Sequence, residues 1–101
     1  MKTSGNTILV TGGGSGSGRE LARRWHDLGN TVIVAGRTRA SLEETAEGYE
    51  NIQIMMLDVA NPDEVQSFAK TVVAQHPDLN VLVNNAGIMR FEEIAASRDL
   101  A

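Results

Sequence analysis

The chain predicts an α/β fold in which a parallel sheet carries helices on both faces, and three observations lead there. Four short runs of β-branched and apolar residues recur along the 101 residues, and segments of helical periodicity separate them. The runs are apolar at successive rather than alternate positions, as strands covered on both faces are. The resulting order β-α-β-α-β-α-β requires crossover connections, which are right-handed and leave few topologies.

The first run, Thr7, Ile8, Leu9, Val10 and Thr11, reads as a buried strand that stops at Gly12, Gly13 and Gly14, a tight turn. From Arg19 the spacing changes: Leu21, Ala22, Trp25 and Leu28 make a helical stripe opposite charged residues, with Gly29 placed as a left-handed C-cap. Thr31, Val32, Ile33, Val34 and Ala35 predict a second strand, ended by Gly36. A weaker helix follows, with Thr38 as its cap and Leu42, Ala46 and Tyr49 facing inward, until Gly48 and Asn51 interrupt it. Ile52, Ile54, Met55, Met56 and Leu57 form a third apolar run, closed by Asp58.

The third helix carries the clearest signals. Asn61 is its N-cap, Pro62 its first residue, Glu64 the capping-box acid, and Val65, Phe68, Ala69, Val72 and Val73 its core stripe, with Pro77 as the stop. Val81, Leu82 and Val83 make a fourth strand running into Asn84, Asn85, Ala86 and Gly87, after which residues 92–96 have room only to begin another helix.

Composition narrows the function. A hydrophobic fraction of 42% and a charged fraction of 22% suit one ordinary globular domain, and without repeats or linkers residues 1–101 read as a single unit. The net charge of -4, with no basic cluster beyond Arg23 and Arg24, argues against nucleic acid as a partner. The absence of cysteine removes disulfides, thiolate metal sites and cysteine nucleophiles, and fits a reducing compartment. With no signal peptide and no apolar run long enough to span a membrane, the expected location is cytoplasmic.

The turn after the first strand reads Thr11, Gly12, Gly13, Gly14, Ser15, Gly16, Ser17, Gly18. A strand leading through glycines into a helix N-terminus makes an anion site: backbone N–H groups converge, the helix dipole adds positive charge, and missing side chains let a pyrophosphate approach. The competing reading is a flexible Gly/Ser linker.

The general G-x-G-x-x-G spacing is matched at no register, but T-G-x-x-x-G-x-G is, through Thr11, Gly12, Gly16 and Gly18. With Asp58 at the end of the third strand and Asn84-Asn85-Ala86-Gly87 at the end of the fourth, the chain resembles the N-terminal half of a short-chain dehydrogenase/reductase. The resemblance implies a Rossmann-like sheet of four strands in the order 3-2-1-4, a truncated half of a doubly wound, NAD(P)-binding domain. It further implies that Gly12, Ser15, Gly16, Ser17 and Gly18 line the adenosine ribose and pyrophosphate. Asp58 and Val59 would flank the adenine, and Asn84, Ala86 and Gly87 would brace the central strand beside the cofactor. Ser17 departs from the family pattern, which usually has a branched apolar residue there. Its backbone N–H survives that change.

At the end of the second strand a carboxylate would favour a free ribose 2′-hydroxyl and repel a 2′-phosphate. This chain has Gly36 and then Arg37, with no acid until Glu43. A guanidinium pairs with phosphate in two-pronged fashion, so NADP(H) is favoured over NAD(H), and the family pattern agrees. The alternative for Arg37 is a solvated loop charge, and Ser15 stands where many NADP-using relatives carry a second basic residue.

Hydride transfer in the family rests on a tyrosine, a lysine four residues later, a serine and an asparagine. Here the only tyrosine is Tyr49, four residues before Gln53, and the lysines are Lys2 and Lys70. The family's catalytic asparagine lies later, in the helix this chain truncates. No catalytic residue is therefore assigned, and Asp58 reads as an adenine contact or turn residue rather than a general base. His26 and His76 read as surface histidines without ligand spacing, so no metal is expected. Two functions result: the NADP(H)-binding region of an oxidoreductase acting between nicotinamide and a carbonyl or alcohol, inactive as this chain alone, or a non-catalytic dinucleotide-binding or self-association module. The family order leaves the fourth strand, residues 80–84, as an exposed apolar edge with one sheet face covered by a single helix, and a homo-oligomer would form through that strand or its uncovered face.

Overall fold

A computed structural model describes residues 3–14, 16–58 and 61–85. Its elements are β1 (Thr7–Thr11), α1 (Gly16–Asp27), β2 (Thr31–Gly36), α2 (Arg39–Ala46), β3 (Ile52–Met56), α3 (Pro62–Gln75) and β4 (Val81–Asn84). All strand pairs are parallel and the sheet order is β3-β2-β1-β4, the order the resemblance implies. The register sets Ile8 beside Val32 on one side and Val81 on the other, with Val32 beside Ile52.

The strands' two-residue repeat sorts their side chains onto two faces. Leu9, Ile33 and Ala35 point to α3, where Val65, Phe68, Ala69, Val72 and Val73 cover them together with Leu57 and Leu79. Ile8, Val10, Val32, Val34 and Ile52 point the other way, under Ala22 of α1 and Leu42 of α2, with Trp25 and Tyr49 packed at the margin. Both faces of β1 and β2 are thus buried, which explains their unbroken apolar sequence.

The N-terminal ends of the strands are joined by asparagines. Buried Asn30 accepts from the backbone and side-chain amides of Asn6 at 2.9 and 3.0 Å, and donates to the carbonyls of Thr3 at 2.9 Å and Trp25 at 2.7 Å. Asn80 accepts from the Thr7 N–H and donates to the Asn6 side chain, both at 2.9 Å. The starts of β1, β2 and β4 are therefore stitched at the end of the sheet opposite the glycine turn.

Four local expectations change. Helix α1 begins at Gly16 rather than Arg19, because Gly16, at φ +57°, turns the chain directly into the helix and makes the last glycines of the motif its first turn. Leu28 is 53% exposed rather than part of the buried stripe, since α1 ends at Asp27 and the chain turns away through Gly29 at φ +94°. Thr38 occupies the N-cap position of α2, but only its carbonyl serves, accepting from Leu42 N–H at 3.1 Å; its side chain makes no capping bond. Asn61 caps α3 as expected by accepting from the amides of Asp63 and Glu64, whereas the Glu64 carboxylate reaches back to the Asp58 N–H at 3.2 Å.

Candidate cofactor site

The carboxyl ends of the four strands face one side of the molecule. The sheet order reverses at β1: the chain goes from β1 outward to β2 and β3, then returns to β4 on β1's other flank. Ligand crevices in parallel α/β sheets form at this switch point, outside the strand ends. The glycine turn lies there.

The turn's glycines are required by contact as well as by conformation. Gly12 adopts φ +71°, and its N–H extends the β1–β2 ladder by donating to Ala35 at 2.9 Å. A Cβ on Gly13 would sit 2.7 Å from Cγ1 of Val34. At Gly18 a Cβ would collide with the Gly12 carbonyl and lie 3.0 Å from Nδ2 of Asn85. The first turn of α1 consequently rests directly on the end of β1. The first N–H groups of a helix have no partner within it, and a glycine-rich approach to a helix start is the setting in which a diphosphate is accommodated.

Side chains fasten this cradle on both flanks. Toward β4, the Thr11 hydroxyl donates to Oδ1 of Asn84 at 3.1 Å and the Ser17 hydroxyl donates to Oδ1 of Asn85 at 3.3 Å. Toward α2, Arg19 sends Nε to the Thr45 hydroxyl at 2.9 Å and Nη2 to the carbonyls of Gly14 at 2.6 Å and Ser41 at 3.1 Å. Thr45 is fully buried, and its hydroxyl donates to the Gly13 carbonyl at 2.8 Å, with the Ser41 carbonyl also in reach at 3.1 Å. Arg23 continues the seam by donating to the carbonyls of Thr45 and Glu44.

Arg37 stands exposed directly after β2, and its guanidinium makes no ion pair or hydrogen bond among the described residues. Glu43, the acid nearest in sequence, lies 3.9 Å from Arg39 instead. Asp58 is half-buried beyond β3, where Leu57 N–H donates to the Gly36 carbonyl at 2.8 Å and holds the β2 and β3 ends level. Gly12, Gly16, Ser17, Gly18, Arg37, Asp58 and Asn84 thus all lie at the carboxyl side of the sheet, while Ser15, Val59, Ala86 and Gly87 lie outside the described residues.

The remaining chemistry-bearing residues lie elsewhere. Tyr49 precedes β3 at the opposite end of the sheet, with the Arg23 guanidinium 5.0 Å from its ring centroid and the His26 ring edge-on at 5.2 Å. His26 is not the surface histidine expected. Its side chain is 17% exposed, Nδ1 lies 3.1 Å from Asp27, and Nε2 accepts from the Asn51 N–H at 3.2 Å, so it joins α1 to the start of β3. Sequence reasoning missed Arg19, Thr45 and Asn85. Arg19 and Arg23 stand one helical turn apart, the spacing of a shared face, but nothing in the sequence says that this face meets α2.

Comparison with known proteins gives one consistent result. The family model for short chain dehydrogenases matches residues 6–100. The uncharacterized oxidoreductase DltE of Bacillus subtilis is 44% identical over 90 residues, which cover 89% of this chain and 36% of that protein. Human short-chain dehydrogenase/reductase 3 is 36% identical over 101 residues, covering 95% of this chain and 33% of that protein. A short chain dehydrogenase from Shigella flexneri 2a, solved in complex with NADP, superposes with a TM-score of 0.74 at 30% identity, over 81% of this chain and 37% of that one. The citronellol catabolism dehydrogenase of Pseudomonas aeruginosa PAO1 gives a TM-score of 0.76 at 28% identity, over 94% and 49%. The chain thus spans about a third of the length of the curated relatives it matches.

Proposed function

The chain belongs to the short-chain dehydrogenase family, and from that premise we propose that it is the cofactor-binding region of an oxidoreductase acting between a nicotinamide and a carbonyl or alcohol, with NADP(H) preferred over NAD(H). The observation that supports the cofactor reading is the glycine turn at the switch point, where Gly18 leaves no space for a Cβ against Gly12 and α1 starts directly at the end of β1. The backbone of residues 12–18 would hold the pyrophosphate, Asp58 and Val59 would border the adenine, and Asn84, Ala86 and Gly87 would back the crevice from the β4 side. The nicotinamide, when bound, supplies the hydride chemistry. Tyr49 is not placed to handle the substrate proton there, because it sits at the far end of the sheet.

The preference for NADP(H) rests on Arg37, whose guanidinium is exposed and unopposed because Glu43 leans toward Arg39. A 2′-phosphate offers it a two-pronged partner, where a free 2′-hydroxyl offers little. The test is a calorimetric titration of NADPH and NADH into the chain and into Arg37→Asp. Loss of one charge-assisted contact predicts about tenfold or greater weakening of NADPH binding, with NADH binding level or improved. Equal weakening of both by Arg37→Asp, or no preference in the unaltered chain, contradicts the assignment. A reducing, cytoplasmic setting fits a chain without cysteine.

A second reading, a self-association module, is favoured by one feature. Among the described residues β4 is paired only to β1, leaving its other edge open beside half-buried Val81, Leu82 and Val83.

A further inference from the structure

Arg19 lies in the first turns of α1, close enough to the crevice that its charge invites the role of a phosphate ligand. Its hydrogen bonds point elsewhere. Nε is engaged by Thr45, and both Nη2 hydrogens are matched by carbonyls, Gly14 at 2.6 Å and Ser41 at 3.1 Å, with Glu44 a further 3.5 Å neighbour on the solvent side. The Thr45 hydroxyl, held by Nε on one side, donates to Gly13 on the other. Two consecutive carbonyls of the glycine turn are therefore gripped from behind by one guanidinium and one buried hydroxyl.

We infer that Arg19, acting with Thr45, is a positioning residue for cofactor binding: it draws the carbonyls of Gly13 and Gly14 toward α2 and so sets the Gly14 amide toward the diphosphate. A peptide plane is rigid, so fixing a carbonyl fixes the direction of the N–H that follows it. Glycine populates many backbone conformations, so Gly13 and Gly14 need contacts of this kind to hold one orientation. Only a planar fork with several donors in fixed directions reaches Gly14, Ser41 and Thr45 together. The same fork ties the turn to α2, the helix that begins just after Arg37, and so joins the pyrophosphate end of the site to the 2′-phosphate end.

This inference rests on the cofactor reading above, and the experiment separates the two. NADPH affinity is measured by calorimetry for the unaltered chain, Arg19→Lys, Thr45→Val and the double variant, each well below its thermal midpoint, which is recorded separately. Lysine keeps the charge and loses the fork. The expected result is that Arg19→Lys fails to rescue, binding NADPH about tenfold more weakly while folded. Thr45→Val should act in the same direction, and the double variant should lose less than the two single losses combined, because both act through one clamp. Wild-type affinity in folded Arg19→Lys would overturn the inference, whatever its thermal midpoint, since a merely structural role lowers the midpoint alone. Strictly additive losses would overturn the shared clamp. An unaltered chain that binds no NADPH would overturn the cofactor reading itself, and the inference with it.

Discussion

At the scale of single residues, the glycine turn is governed by contact distances. Gly18 sits where α1 crosses the end of β1, and the Gly12 carbonyl occupies the space that any Cβ would need. Gly18→Ala should therefore push the helix start away from the strand, costing about 1–3 kcal/mol of stability, as overpacking of a close contact does, and weakening nucleotide binding as well. Chemical denaturation monitored through Trp25, paired with an NADPH titration, checks both effects. An alanine variant with unaltered midpoint and affinity would contradict the contact argument. The glycine spacing, and hence this part of the site, was legible in the sequence because strand, turn and helix leave few other uses for glycines so placed. Arg19 and Thr45 were not legible: their partnership spans a separation of 26 residues and depends on how α1 lies against α2. His26 escaped for the same reason, its partners Tyr49 and Asn51 coming from the connection into β3.

At the scale of elements, periodicity and capping identify each strand and helix of the described residues, with the differences at their ends, while the helix start expected at residues 92–96 lies outside them. Helix α3 has the most complete signals, with Asn61 bonding two first-turn amides and a stripe of five buried residues facing the sheet. Asn61→Ala should cost about 1 kcal/mol, the usual worth of such a cap, read as a lower denaturation midpoint with unchanged slope. No change would mean that packing of Phe68 and its neighbours alone sets the helix start. The start of α1 is not legible in the sequence because Gly16 counts against a helix by propensity yet begins one here, its left-handed backbone leading the chain out of the turn. Strand β3 illustrates a different limit: it lies at an edge of the sheet with Gln53 and Met56 exposed, which its apolar sequence does not distinguish from a central strand.

At the scale of the whole molecule, the described sheet is two central strands buried on both faces, β1 and β2, between two edges. No helix among the described residues is long and apolar enough to cross a membrane. The β4 edge carries Val81, Leu82 and Val83 in half-buried positions, and an open apolar strand is a template for pairing with another chain. The chain on its own should accordingly self-associate as its concentration rises through the micromolar range, in light scattering at fixed ionic strength. A monomer throughout that range would remove the self-association reading and leave the cofactor region as the sole proposal.

The central claim is that a nicotinamide dinucleotide lies across the carboxyl ends of the strands, with its pyrophosphate on the glycine turn and its 2′-phosphate on Arg37. Amide chemical-shift mapping of the nitrogen-labelled chain during titration with NADPH tests this most directly. The account predicts saturable shifts concentrated at residues 12–18, at Gly36 to Thr38 and at Asp58, with the asparagine stitch of Asn6, Asn30 and Asn80 at the opposite end unaffected. Shifts centred on that far end, or none at saturating NADPH, would contradict it.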